Sequence, residues 1–341
     1  MATPPPLPVA PTPPGMPPGI HRVAVPLVGN PLGSVNVYLI ESPDGPILID
    51  AAWQTPDALA AVEAGLAALG ARVEDVSMIV LTHGHPDHTG LAAPLRERSG
   101  APILLHRRDW PLVAPARRGT PEYFSRASAW FRRNGMPDLE QGQAGGARRA
   151  MTERNPPFVP DRALDDGDTL TLGAYICRVI WCPGHARGEV VLHDADRRLL
   201  IAGDHVLPHI SPNVGIYRDD DGDPLGDYIA SLARVRDLPA DHVLPGHGDP
   251  FATLAARADA LLAHHQERLA EILVLLAAAP ATAFDLAARL PWSGGRRTLA
   301  DLHPFQQSMA LAETIAHLEV LRTRAHAAPD DRDDRLWWRA T

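Results

Sequence analysis

Three histidines and an aspartate fall within six residues in the run Leu81-Thr82-His83-Gly84-His85-Pro86-Asp87-His88. The apolar stretch Val76-Ser77-Met78-Ile79-Val80-Leu81 leads directly into it. Residues two apart at the end of an extended run face the same side, so His83 and His85 point together. Pro86 fixes the backbone behind them, and Asp87 and His88 sit on the turn that enters the next helix. The spacing delivers two pairs of ligands to two neighbouring points. Three other runs end an apolar strand in a ligand-type residue: Trp181-Cys182-Pro183-Gly184-His185, Leu200-Ile201-Ala202-Gly203-Asp204 and Val243-Leu244-Pro245-Gly246-His247. Strand ends along one sheet edge are where α/β proteins assemble sites. Five imidazoles and two carboxylates suit two Zn2+ ions, with Fe or Mn as alternatives.

The elements that must position these groups are legible from period and punctuation. Strands are expected at 21–28, 35–41, 46–50, 77–82 and 102–106, then at 169–172, 175–182, 189–193, 199–202 and 241–244. Leu59, Val62, Leu66 and Leu69, three and four apart, mark a helix over 56–69, and further helices are expected at 89–98 and 224–236. Two β-rich halves, each with helices, imply an α/β fold in which two sheets form a sandwich with helices outside. Residues 107–160 break the rhythm as an Arg-rich insertion that reads as a lid. From 254 to 341 the chain turns into Ala/Leu-rich helices ending in a hairpin, the outline of a small winged-helix domain. Residues 1–20 are a Pro-rich tail with the composition of a disordered segment. The domain reading is therefore 1–20 tail, 21–253 catalytic domain and 254–341 winged-helix-like domain.

Composition removes several classes. The chain of 341 residues carries a net charge of −9 and contains no lysine. That excludes a lysine Schiff base and a Walker-type phosphate loop, and it argues against non-specific nucleic-acid binding. No apolar run is long enough to span a membrane. Cys177 and Cys182 are five apart on a strand and so point to opposite faces, which reads as two buried thiols in a reducing compartment. The N-terminus lacks the charged and apolar regions of a signal peptide. A cytoplasmic location is expected.

The order H-x-H-x-D-H, then His, then Asp, then His resembles the metallo-β-lactamase superfamily, and within it the glyoxalase II-like hydrolases. The resemblance covers 21–253 and implies a four-layer αβ/βα sandwich. It implies that His83, His85 and His185 hold one metal, that Asp87, His88 and His247 hold the second, and that Asp204 bridges. Asp50 matches an aspartate that orients the ligand loop. The glycine that usually follows soon after it is absent, and Ala51-Ala52 stands instead, which is expected to alter local packing and leave the metals in place. The activity implied is hydrolysis by attack of a metal-bound hydroxide. Asp87 and His209, a candidate proton donor after the bridging ligand, are the catalytic candidates.

Substrate class is less constrained. A cysteine at the bridging position marks the main β-lactam-hydrolysing relatives, and here it is Asp204, so β-lactam hydrolysis is not expected. The C-terminal helices and hairpin resemble those of relatives that include an endoribonuclease and stand-alone polyketide thioesterases. That leaves a thioester or related acyl ester and an RNA phosphodiester both open. Between 107 and 154 ten arginines meet five acids, so a basic lid is expected to draw a small anionic substrate such as an acyl thioester. Arg132, Arg133 and Tyr217 are the candidate substrate contacts. The candidate recognition helix carries Glu313 and Glu319, so duplex nucleic acid is not expected as a partner; contact with substrate, packing or a homodimer are the roles left to this domain. A mono-iron persulfide dioxygenase resembles the ligand pattern as well.

Overall fold

Side-chain parity along the first strands decides the architecture. The computed structural model describes residues 15–28, 30, 32–114, 121–137, 155–217 and 222–341. Six strands pair in chain order into one sheet: β1 (Ile20–Pro26), β2 (Ser34–Ile40), β3 (Ile47–Ile49), β4 (Met78–Val80), β5 (Ile103–His106) and β6 (Arg162–Leu164). β3 to β6 run parallel, with α1 (Pro56–Ala68), then α2 (Pro86–Thr89) and α3 (Ala92–Ser99), in the crossovers. Val37, Leu39, Leu48 and Ile79 cluster with Val62 and Leu66 of α1 and Leu95 of α3. Their neighbours Tyr38, Ile40, Ile47, Ile49 and Val80 cluster instead with Cys177, Val179, Leu192 and Ile201 of a second sheet. A period of two thus gives the first sheet one face for helices and one for its partner sheet.

The second sheet comprises β7 (Thr169–Leu172), β8 (Tyr175–Trp181), β9 (Val190–Asp194), β10 (Leu199–Gly203) and β11 (His242–Pro245), in the order β11-β10-β9-β8-β7. β10 and β11 are parallel, and β9 is antiparallel to both β8 and β10, so β8, β10 and β11 share a direction. The expected sandwich is present. The helix expected over 89–98 is instead two pieces, α2 and α3. They part at Gly90, where a Cβ would lie 2.4 Å from the Gln54 amide and 2.8 Å from the Ala52 carbonyl.

By internal contacts the described chain divides into two units. The first holds both large sheets and includes the described residues up to 114, 155–212 and 231–258. The second gathers 121–137, the described residues of 213–230, and 259–341. α4 (Trp110–Val113) belongs to the first unit and α5 (Pro121–Arg133) to the second, while α6 (Pro224–Val235) and α7 (Leu254–Ala278) run from one unit into the other. This differs from the linear boundaries read from the sequence, because the partners of α5 lie far along the chain. The Phe284 amide donates to the Asn134 carbonyl at 3.1 Å, and Arg133 pairs with Asp331 at 2.6 Å. In the second unit α8 (Ala283–Arg289) and α9 (Pro304–Thr323) accompany a small sheet in the order β12 (Ala281–Thr282), β14 (Arg335–Ala340), β13 (Ala327–Arg332). Trp338 is fully buried while its neighbour Trp337 is half-exposed, as strand alternation requires. Among the described residues no helix is long and apolar enough to cross a membrane.

Candidate metal centre

Every convergent ligand belongs to the first unit and sits just past a strand end. β4 runs into Leu81–His85; His85 then caps α2, with Pro86 at its first position, so Asp87 and His88 lie on one helical turn. β8 leads to His185, β10 to Asp204 and β11 to His247. His83 Nε2 lies 3.0 Å from His85 Nδ1, which lies 2.9 Å from His185 Nε2. Nitrogens sharing a tetrahedral ion at 2.0–2.1 Å would stand roughly 3.3 Å apart, so these three are close to ligand spacing. On the other side His247 Nε2 is 3.4 Å from both Asp87 Oδ2 and Asp204 Oδ2. Asp204 reaches both groups, with Oδ2 3.5 Å from His185 Nε2 and Oδ1 3.5 Å from His88 Nε2. Three ligand groups result: His83/His85/His185, His83/His88/Asp204 and Asp87/His88/His247.

The donor set fits divalent cations on a direct test. His88 Nε2, His247 Nε2 and Asp204 Oδ1 are buried with no hydrogen-bond partner, and all three point into the same space. Buried polar atoms are ordinarily paired. Convergent orphans of this kind are what a cation satisfies.

Outer atoms of the same side chains are held by protein. His88 Nδ1 donates to Asp50 Oδ2 at 2.8 Å, and the Thr82 amide and hydroxyl also donate to that carboxylate. His247 Nδ1 donates to the Ser34 carbonyl at 2.7 Å. Asp50 therefore bonds both Thr82 and His88 of the loop that runs through residues 82–88. Its backbone lies in the left-handed region, φ 63°, and so does that of Ala52, φ 51°. An L-residue there costs about 1–2 kcal/mol. This chain carries that strain at Ala52, and the Asp50–His88 bond is intact.

Sequence reasoning missed the groups that tie the two sheets together here. The Asn36 side chain donates to the carbonyls of Pro245 and Gly248, both at 2.8 Å, and the Tyr38 hydroxyl to that of Pro245 at 2.7 Å. Both anchor the loop that carries His247. Parity holds a clue: Asn36 shares the inward face of β2 with Tyr38 and Ile40, where an amide needs a reason. Asp109 is buried, and its carboxylate accepts the Gly84 and Gly188 amides, each at 2.7 Å, clamping two ligand loops to each other. Glu189, also buried, accepts the Asp204 amide on Oε1 at 3.1 Å and holds Oε2 3.3 Å from His83 Nδ1. Glycine makes room for the ligands: a Cβ at Gly246 would lie 2.3 Å from Asp204 Oδ1 and 2.8 Å from His88 Cε1.

Electrostatics divides the centre. Burial, then the neighbouring imidazoles, hold His83 and His85 neutral, His85 down to about 3. Burial also opposes charge on His88 and His247. There the carboxylates prevail: Asp50 and Asp204 hold His88 well above the usual imidazole range, and Asp204 with Asp87 lifts His247 to about 10. Burial would raise Asp87, but the neighbouring His247 and His88 imidazoles bring it to about 2. Burial alone sets Asp109 chiefly, at about 6.

The other candidates are not among the convergent ligand groups. His209 is exposed on the loop after Asp204. Arg132, Arg133 and Tyr217 belong to the second unit, where Arg133 pairs with Asp331 and the Tyr217 hydroxyl donates to Asn213 Oδ1 at 3.0 Å. Arg117, Arg118, Arg148, Arg149 and Arg154 of the expected lid lie outside the described residues, as does the tail up to residue 14.

Comparison with known proteins shows the family. The family model described as Metallo-beta-lactamase superfamily matches residues 30–247, a span that ends on the last ligand. The "Probable metallo-hydrolase YqjP" of Bacillus subtilis is 27% identical over 85% of this chain and 88% of its own. A solved metallo-beta-lactamase family protein, TTHA1429 from Thermus thermophilus, is 35% identical, with a TM-score of 0.78 over 95% of this chain and 99% of that one. The "Acyl-coenzyme A thioesterase MBLAC2" of Gallus gallus is 34% identical over 28% of this chain and 34% of its own.

Proposed function

The chain belongs to the metallo-beta-lactamase superfamily as a metallo-hydrolase, and we propose that it cleaves a thioester or related acyl ester of an anionic carrier at a two-cation centre. The observation that carries the reading is the convergence of five imidazole nitrogens and two carboxylates on adjacent points, with buried orphan atoms aimed inward. In this reading His83, His85 and His185 hold one cation, Asp87, His88 and His247 the other, and Asp204 touches both. Zinc is the assigned metal on the nitrogen/oxygen donor set. When bound, such a pair supplies a water nucleophile at neutral pH and polarises the scissile group.

The chain's own residues supply the rest. Asp50 and the Ser34 carbonyl keep His88 and His247 presenting Nε2 inward, which fixes their tautomers. Asp87, about a sixth exposed, is the carboxylate assigned to take the proton from the attacking water. His209 is assigned proton delivery to the leaving group from the exposed loop. Arg132, Arg133 and Tyr217 are assigned to the carrier, with Arg133 shared with Asp331. The second unit is read as a winged-helix variant.

Thioester chemistry is favoured over RNA cleavage by the partial likeness to an acyl-coenzyme A thioesterase and by the acidic balance of the chain. Two free, buried thiols agree with a cytoplasmic setting. The test is parallel turnover of an acyl-coenzyme A and a structured single-stranded RNA by zinc-loaded protein, with Asp87→Ala as control. Thioester cleavage lost in Asp87→Ala is the expected result. RNA cleavage lost in that variant, with the thioester untouched, would make the protein a nuclease. Arg132→Ala combined with Arg133→Ala should raise KM for the anionic substrate and leave kcat in place.

A further inference from the structure

Two buried carboxylates stand behind the ligand histidines, and they stand behind different ones. Asp50 bonds His88. Glu189 faces His83 on the other side of the centre, its Oε2 3.3 Å from Nδ1. We propose that Glu189 is the positioning residue of the three-histidine group, setting the orientation and donor strength of His83 as Asp50 does for His88, so that the two cations are held by separately tuned outer acids.

The carboxylate is delivered on rigid backbone. The Glu189 carbonyl accepts the Cys182 amide at 2.8 Å, and the Val190 amide donates to the Thr82 carbonyl at 2.9 Å, so the residue is pinned between the two sheets where their ligand loops meet. A recess is cut for it: a Cβ at Gly203 would come 2.5 Å from Glu189 Oε1. Oε1 is used, accepting the Asp204 amide at 3.1 Å and so fixing the backbone of the residue between the groups. Oε2 is fully buried without a hydrogen-bond partner, and it faces His83 Nδ1 within ion-pair distance.

Thr82 does not make Glu189 redundant. Its hydroxyl lies 3.1 Å from His83 Nδ1, but it already donates to Asp50, so it offers His83 a neutral oxygen and no charge. A carboxylate behind an imidazole raises its basicity as a ligand and locks its ring.

This inference rests on the centre binding two cations, and the experiment separates the two claims. Full-length protein is stripped of metal and titrated with Co(II) against a chromophoric chelator, following the visible absorption of each equivalent. Wild-type protein that takes up no metal would sink the proposed centre. With wild type binding two equivalents, Glu189→Gln should weaken one of them about 10- to 100-fold and alter its absorption band. The other equivalent should stay within about threefold, and Asp50→Asn should weaken that other one. The proposal is overturned if Glu189→Gln binds both equivalents like wild type, or weakens the same equivalent as Asp50→Asn. The metal-free melting midpoint of Glu189→Gln should stay close to that of wild type, since burial disfavours charge on this carboxyl and the amide keeps its shape. A lower midpoint with both equivalents weakened alike would mark a merely structural role and overturn it too. Should Glu189→Gln fail to fold, Glu189→Asp, which keeps the charge but withdraws it from His83, reads the same way: loss at one equivalent supports the proposal and wild-type binding defeats it.

Discussion

Both units bury histidines, and among the described residues the convergent ligand groups all lie in the first. In the second unit His265 and His317 are buried side by side, with His265 Nδ1 3.1 Å from His317 Nε2 and His317 Nδ1 donating to the Glu313 carbonyl at 2.8 Å. Their polar atoms are spent largely on each other and on backbone. His265 Nε2 has no partner, yet among the described residues no third ligand atom joins the pair. Burial, then the neighbouring imidazole, brings His265 to about 2, and burial chiefly brings His317 to about 3. In the first unit carboxylates are interleaved with the imidazoles, the outer nitrogens of His88 and His247 are anchored, and their inner ones converge without hydrogen-bond partners. Burial of histidine is common to both regions; acid interleaving and convergent orphans belong to the centre alone.

Removing a ligand tests that contrast at its largest. Asp204→Ala deletes the carboxylate that reaches both groups, and hydrolysis should fall by about three orders of magnitude or more, with metal content reduced. His317→Gln, equally buried, should leave kcat/KM and bound metal unchanged while lowering the melting midpoint. An Asp204→Ala enzyme within tenfold of wild type would break the comparison.

Protons sharpen it next. Without metal, His88 and His247 hold protons at neutral pH, His247 with a value of about 10. A cation must displace them, so its apparent affinity should rise as pH rises from 6 toward 9, by up to about tenfold per unit for each proton released. Calorimetry of metal uptake in buffers of different ionisation enthalpy counts those protons. Uptake that releases none would place the metal elsewhere.

A subtler break leaves all ligands in place. Gly246→Ala sets a methyl 2.3 Å from Asp204 Oδ1 and 2.8 Å from His88 Cε1. Chelator competition should show a loss of about 10- to 100-fold in metal affinity, comparable with removing an anchoring group. Wild-type affinity would mean that the loop yields and the close approach is not needed.

The convergent residues were legible because His83, His185, Asp204 and His247 each follow a short apolar run, where a histidine or aspartate has no packing role to explain it, and His85, Asp87 and His88 stand within five residues of the first. Asp50 was legible for the same reason. The two-sheet sandwich followed from runs such as Val35–Ile40 and Ile47–Ile49. Glu189 was hidden because it stands at the start of an apolar strand, four residues past His185, and nothing in the chain says that its side chain turns back toward residue 83. Asp109 was lost among the arginines of the insertion, since its partners are amides, which carry no sequence signature. The grouping of α5 with the C-terminal helices was illegible as well. It depends on contacts such as Asn134 with Phe284, about 150 residues away in sequence.

The smallest effect belongs to the second unit. Burial chiefly holds the Glu313 carboxyl up at about 7, where it accepts a bond from Asn213 Nδ2 at 2.9 Å. Unfolded, the same acid ionises near 4.5, so its contribution is fully present below that pH and is lost as pH rises through 7. His265 and His317 act in the opposite sense: their depressed folded values mean that stability is lost as pH falls below about 6.5. Wild-type stability of this unit should therefore peak near pH 7. Glu313→Gln keeps an acceptor for Asn213 and removes the alkaline loss, so at pH 8 it should be more stable by on the order of 2 kcal/mol, while at pH 5 the two proteins should match. Urea midpoints at the two pH values measure the difference. Metal content and kcat/KM should be unchanged, and a change in either would mean that the buried histidines of this unit are not the inert counterpart that the comparison makes them.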